Sequence, residues 1–286
     1  MKQLIEISKE LLESKKARYI IGYTEDKFHR TKPFIAHTIV DAEKLTFNRK
    51  AVHNLAVYLT RLPKPKEGKI GIVAKGCDIK AIIGLIQENQ IKRDDVIIIG
   101  MNCNGVVKDI IKDFGKDNLQ MKCTVCELRT PKHTDFIAGT IEDFAKSEMT
   151  KNILAEIEAL SAEERWNFWE KEFEKCIKCY ACRQACPLCY CEQCIVEKSM
   201  PQWIDSSPTT KGNFAWNIIR AFHLSGRCIG CNECERACPM DIPLSLLNRK
   251  MGMVAMKEFN YRHGMEPDQL TLIGTFNTSD KEDFIM

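Results

Sequence analysis

The chain opens on an amphipathic pattern: Leu4, Ile5, Leu11 and Leu12 recur at helical spacing while Lys2, Glu6, Lys9, Glu10 and Glu13 fall on the opposite face. Period-two and continuous apolar runs follow, and they predict strands at Arg18 to Tyr23 and Phe34 to Val40. Lys50 to Arg61, carrying Leu55, Val57, Tyr58 and Leu59, reads as a helix, and the segment from Leu62 to Gly68, with Pro63 and Pro65, is turn-rich. A short apolar strand is then predicted from Lys69 to Ala74, a turn at Gly76-Cys77-Asp78, an amphipathic helix from Ile79 to Glu88, and a buried-type strand from Val96 to Gly100. This order reads as a β-α-β unit with a parallel pair. A helix from Val106 to Phe114 and a last strand at Phe136 to Thr140 complete the first half.

From Ile141 the pattern turns helical. Ser161-x-x-Glu164 is a capping box that opens a helix bearing Trp166, Phe168, Trp169 and Phe173, whose rings suit core or subunit-interface packing. Further helices are predicted from about Asn213 to Leu224, with Phe214, Trp216, Ile218, Ile219 and Phe222, and from Leu244 to about Glu258, with Leu246, Leu247, Met251 and Val254. The expected architecture is an α/β N-terminal domain with a short parallel sheet over residues 1–145. A mainly α-helical domain over 146–258 and a C-terminal extension over 259–286 follow.

Composition changes this picture at one residue type. The chain of 286 residues has 15 cysteines. Met1 to Lys16 is too charged for a signal sequence, and no long uninterrupted apolar run predicts a membrane span, so a cytoplasmic location is expected. In a reducing compartment, cysteines at ligand spacing are read as metal sites before disulfides, and their number suits an anaerobic setting. A net charge of +3 argues against a dedicated nucleic-acid binder.

Eight of the cysteines form two matching runs: Cys176-x-x-Cys179-x-x-Cys182-x-x-x-Cys186-Pro187 and Cys228-x-x-Cys231-x-x-Cys234-x-x-x-Cys238-Pro239. This is the two-cluster ferredoxin pattern, in which the fourth cysteine of each run serves the other cluster. The spacing predicts one 4Fe-4S cluster on Cys176, Cys179, Cys182 and Cys238, and a second on Cys228, Cys231, Cys234 and Cys186. Lys175, Lys178, Arg183, Arg227 and Arg236 lie among these ligands, either as tuning cations or as a solvated charged surface.

Four more cysteines, Cys77, Cys103, Cys123 and Cys126, stand in the first half. Cys77 and Cys103 fall at the carboxyl ends of neighbouring parallel strands, where α/β sheets place ligands, and Gly76 and Gly105 beside them suit a backbone that approaches a cofactor. The set is read as a third cluster, with buried core cysteines and a structural zinc as the competing readings. The remaining three, Cys189, Cys191 and Cys194, cannot complete a four-cysteine cluster alone. They could exchange with a ligand of the first run, recruit His223 or a ligand from a partner subunit as a fourth cluster site, bind zinc, or remain free thiols.

The first half, with Lys75-Gly76-Cys77-Asp78, Cys103-Asn104-Gly105 and Cys123-x-x-Cys126, resembles the beta-subunit family of deazaflavin-dependent hydrogenases and formate dehydrogenases. The second half, from Cys176 through Cys191 and from Gly226-Arg227-Cys228 through Leu244, is similar to the dicluster ferredoxin domains of that family and to heterodisulfide reductase iron-sulfur subunits. The resemblance implies a catalytic partner subunit: a hydrogenase, a formate or aldehyde oxidoreductase, or a flavoprotein of the heterodisulfide reductase type. It also implies flavin as a further cofactor with reduction of the deazaflavin coenzyme, although no G-x-G-x-x-G fingerprint is present and no flavin-binding residue is assigned.

Three functions are therefore weighed. The first is a non-catalytic electron-transfer subunit, favoured by the ligand inventory and by the want of a Ser-His-Asp set, a paired-carboxylate site or a phosphate loop. The second is a flavin-containing reductase of the deazaflavin coenzyme, or a thiol-active reductase using Cys189, Cys191 and Cys194. The third is a zinc-stabilised interaction module.

Overall fold

The computed structural model describes residues 1–112, 115, 118–141 and 153–280. It divides into two compact units, Met1–Thr150 and Lys151–Met286.

The first unit is built on a five-stranded sheet in the order β2-β1-β3-β4-β5, with β1 at Ala17–Glu25, β2 at Thr31–Ala36, β3 at Lys69–Ala74, β4 at Val96–Met101 and β5 at Phe136–Ala138. β1, β3, β4 and β5 run parallel to one another. Every residue of β4 is buried, as expected for an Ile- and Val-rich strand in the middle of a parallel sheet. β2 departs from the expected all-parallel arrangement, because it returns antiparallel along β1 from the tight turn Asp26 to Arg30. Among the described residues four α-helices accompany the sheet: α1 at Lys2–Glu13, α2 at Ile39–Ala42, α3 at Gly76–Gln87 and α4 at Met121–Thr124.

Three expected elements are corrected. The strand predicted from Phe34 to Val40 ends at Ala36, since Thr38 accepts a hydrogen bond from the Asp41 N–H at 3.1 Å and starts α2. Lys50 to Arg61 is not an α-helix: a 3-10 turn spans Leu55–Leu59, preceded by Asn54, whose amide oxygen accepts from the Ala56 N–H at 3.1 Å. The Leu55 N–H is taken at 2.8 Å by the carboxylate of Asp78, a tertiary partner that competes with the helical ladder. The described part of Val106 to Phe114 is a loop, with Val107 bridged to Leu119. Asn118 staples it by accepting from the Asp109 N–H at 2.7 Å and donating to the carbonyls of Asp109 at 2.9 Å and Lys112 at 3.1 Å. Of the helical pattern predicted from Ile141 onward, residues 142–152 lie outside the described residues.

The second unit holds α5 at Ile153–Ala159, α6 at Ala162–Glu174, α7 at Ala181–Ala185, α8 at Thr210–His223, α9 at Glu233–Arg236 and α10 at Leu244–Phe259. Ser161 and Glu164 form the capping box that opens α6, the Ser161 N–H donating to the Glu164 carboxylate at 2.8 Å and its hydroxyl accepting from the Glu164 N–H at 3.2 Å. α6 lies against α8 through aromatic pairs, with ring centroids 4.5 Å apart for Trp166 and Phe214 and 5.7 Å for Phe173 and Phe214. Phe173, Trp216, Ile204, Ile242 and Leu244 are the buried centre of this unit, and Cys182 and Cys234 belong to the same core.

The two cysteine runs fold alike. Lys178 and Gly230, and two residues further on Tyr180 and Asn232, occupy matching positions in the runs, and all four have positive φ, at 51°, 70°, 56° and 55°. Each pair of left-handed residues turns the chain back between cysteines and releases it into a short helix, α7 or α9. Gly230 takes this conformation without a Cβ penalty. Lys178 takes it with its side chain buried and its ammonium donating to the Asp205 carbonyl.

Candidate iron-sulfur sites

The loop before α9 and the first turn of α9 bring Cys228, Cys231 and Cys234 around a cavity, and the fourth cysteine on its wall is Cys186, from the first run. Donors to sulfur are already in place. The Gly230 N–H donates to Cys228 Sγ at 3.5 Å, and Asn248 Nδ2, on α10, donates to Cys234 Sγ at 3.7 Å. Burial pushes the Cys234 thiol up to about 12, with the negative charges of Cys228 and Cys186 adding to the effect. These donors and the wholly cysteine ligand set fit a 4Fe-4S cluster.

In the first run, burial likewise raises the Cys182 thiol, and Cys176 and Cys238 act on it in the same sense, so these three share one neighbourhood. Cys176 and Cys238 pack against the core that contains Cys182, while Cys179 is exposed. Asn213 Nδ2, on α8, holds the Cys176 carbonyl at 2.8 Å.

In the first unit, Cys77 is the second residue of α3, just past β3, and Cys103 lies just past β4. Cys123 is in α4, and Cys126 follows it. Burial pushes Cys77 up to about 12 and Cys103 up to about 11; Cys103 also acts on Cys77, and Cys123 and Cys126 act on Cys103. The Val106 N–H donates to Cys123 Sγ at 3.4 Å. Gly76 is needed for space rather than for torsion, because a Cβ there would stand 1.8 Å from the Leu128 carbonyl oxygen. Behind Cys77, the Lys75 ammonium donates to Tyr23 Oη at 2.8 Å and to Asp78 Oδ2 at 3.0 Å, and Asn54 Nδ2 donates to the Cys77 carbonyl at 3.0 Å.

The three additional cysteines are placed differently from one another. Cys189 pairs with the ligand candidate Cys186, an interaction that lowers the Cys189 thiol and raises that of Cys186. Cys194 packs on the core that also receives Cys176 and Cys238, and its N–H donates to the Glu197 carboxylate at 2.8 Å. Cys191 is exposed, and so is His223 at the end of α8. Among the described residues no three Cys, His, Asp or Glu side chains converge on a single metal-ion position.

Several cations that lie among the ligands in sequence are occupied elsewhere: Lys175 pairs with Glu172 at 2.6 Å, Arg183 with Glu197 at 2.6 Å and Arg236 with Glu233 at 2.8 Å. A further buried cation beside the sulfurs is Arg220, which the sequence reading did not single out. Its signal was its place on the stripe Asn213, Trp216, Asn217, Arg220 of α8, all of them buried.

Residues 175–243 match the family described as 4Fe-4S dicluster domain, so the chain is an iron-sulfur protein whose two-run unit is of the dicluster type. It is 28% identical to the F420-dependent formate dehydrogenase subunit beta of Methanocaldococcus jannaschii, across 69% of this chain and 74% of that protein. To the F420-dependent formate dehydrogenase 1 subunit beta of Methanococcus maripaludis it is 24% identical, across 73% of this chain and 76% of that protein. The resemblance to the beta-subunit family, first drawn from the cysteine motifs, is borne out. No helix among the described residues is long and apolar enough to cross a membrane.

Proposed function

We propose that this chain is the iron-sulfur electron-transfer subunit of a cytoplasmic, multi-subunit oxidoreductase. Single electrons would pass through two clusters in a mainly helical dicluster domain and a third in the N-terminal α/β domain. The observation that supports the reading is the cavity walled by Cys228, Cys231 and Cys234 of one run and Cys186 of the other, which fits the crossed ligation of a two-cluster ferredoxin. Cys176, Cys179, Cys182 and Cys238 are assigned to the other dicluster site, and Cys77, Cys103, Cys123 and Cys126 to the third. The domain limits that go with this assignment are 1–145 and 146–258, with 259–286 as an extension.

A bound 4Fe-4S cluster supplies reversible one-electron chemistry. The chain's own part is to present thiolates, exclude water and set the potential. Gly230 N–H, Val106 N–H and Asn248 Nδ2 donate to ligand sulfurs and so stabilise added negative charge. The named relatives are formate dehydrogenase beta subunits, which supports a catalytic oxidoreductase subunit as the partner.

The test is anaerobic purification of the full chain, with iron and sulfide analysis and cluster counting by electron paramagnetic resonance. Iron and sulfide sufficient for three cubanes is expected. Zinc in place of iron, or too little sulfide for two cubanes, would overturn the reading. A flavin spectrum together with deazaflavin coenzyme reduction by the isolated chain would show a reductase instead of a relay.

A further inference from the structure

Arg220 is a cation buried among sulfurs. Its side chain lies on α8 with the residue 4% exposed, and it lines the cavity formed by Cys186, Cys228, Cys231 and Cys234. One guanidinium nitrogen, Nη2, donates to the Cys182 carbonyl at 3.1 Å and stands 4.0 Å from Cys189 Sγ. Its Nε is buried and has no hydrogen-bond partner. Among the described residues no carboxylate forms an ion pair with it. Cys186 and Cys234 share the cavity wall with it, and Cys182 and Cys189 meet its Nη2 side.

A guanidinium taken out of water with no carboxylate beside it is unfavourable unless other negative charge offsets the loss of hydration. The two proposed clusters are that charge, and Arg220 belongs to the wall of one of them. We propose that Arg220 is a positioning residue whose permanent positive charge is shared by both dicluster sites and raises both of their potentials. The inference rests on the crossed ligand assignment proposed above. The sign follows from electrostatics: reduction adds negative charge to a cluster, and a fixed cation in a poorly screened interior favours the more negative state. Arg183 and Arg236, in contrast, have their charge compensated by Glu197 and Glu233.

The experiment uses the full chain, purified without oxygen, as wild type, Arg220→Gln and Arg220→Lys. Each is analysed for iron and sulfide and titrated with dithionite under electron paramagnetic resonance. Arg220→Gln is expected to keep its iron while the midpoint potentials of both dicluster sites fall, and Arg220→Lys is expected to hold both near the wild-type values. Unchanged potentials in Arg220→Gln, or a change confined to one site, would overturn the proposal. If Arg220→Gln loses iron, Arg220→Lys decides: retained clusters with wild-type potentials support the charge, and displaced potentials or loss of iron overturn it. Wild-type protein without clusters would sink the functional reading itself, an outcome distinct from all of these.

Discussion

Lys75 Nζ lies 3.0 Å from Asp78 Oδ2, with only 2% and 0% of the two side chains exposed. Asp78 also accepts from the Leu55 N–H at 2.8 Å and the Lys75 N–H at 3.0 Å, so one carboxylate ties the start of α3 to the segment before Leu55–Leu59. The pair flanks Gly76 and Cys77 and fixes the first turn of α3, which presents the thiol. Lys75→Met should leave a buried carboxylate without its counter-charge, at a cost of about 3–5 kcal/mol. Amide exchange at Leu55 and through β3 should accelerate by roughly two to three orders of magnitude, and unchanged exchange would show that the pair contributes nothing.

Crossed ligation makes an asymmetric expectation. Cys186→Ser should impair the site of the second run and spare that of the first, and Cys238→Ser should do the reverse, each removing roughly half of the dicluster iron. Iron analysis and paramagnetic resonance of the two variants check this directly. If Cys186→Ser instead removed the signal of the site carrying Cys176 and Cys182, each run would be serving its own cluster.

Gly76→Ala tests the close approach to Leu128. The Cβ would collide with a backbone carbonyl rather than a yielding side chain, so α3 or the Leu128 segment has to move. A destabilisation of at least about 2 kcal/mol is expected, with loss of iron attributable to the N-terminal site. Wild-type iron content and thermal midpoint in this variant would mean that the approach is looser than the geometry indicates.

The turn between β1 and β2 should respond to acid. Hydrogen bonds from the Arg30 N–H, the Arg30 side chain and the Phe28 N–H hold the Asp26 carboxyl at about 2, below its ordinary 3.8. A depressed folded-state value means that the stabilisation is present above the ordinary value and is lost as the pH falls from about 4 through about 2. The Phe28 and Arg30 amide resonances should shift over that interval in the wild type and stay flat in Asp26→Asn.

The candidate ligands stood out in the sequence more clearly than the fold around them. Cysteine spacing located the candidate ligands because a cubane fixes how thiolates must recur along a loop, and β3 and β4 were legible as continuous Ile and Val runs. The two misread helices failed for one shared reason. At Leu55, Asp109 and Lys112, side chains distant in sequence, Asp78 and Asn118, capture backbone groups that a helix would pair internally. Local periodicity does not register such partners. Arg220 escaped notice because it stands outside the cysteine runs and meets them only after α8 packs.

The matching left-handed turns at Tyr180 and Asn232 carry one last consequence. One backbone mould is used twice but lined differently: the Tyr180 ring meets the Trp216 ring edge-on with centroids 5.1 Å apart, while Asn232 accepts from Arg249 at 3.5 Å. One turn is edged by an aromatic pair with the Arg183 guanidinium over the Tyr180 ring, and the other by the Asn232 amide and the Arg249 guanidinium. Two chemically equal cofactors seated there would be unequal in electron affinity, and a pair of unequal stations gives traffic through the domain a preferred direction.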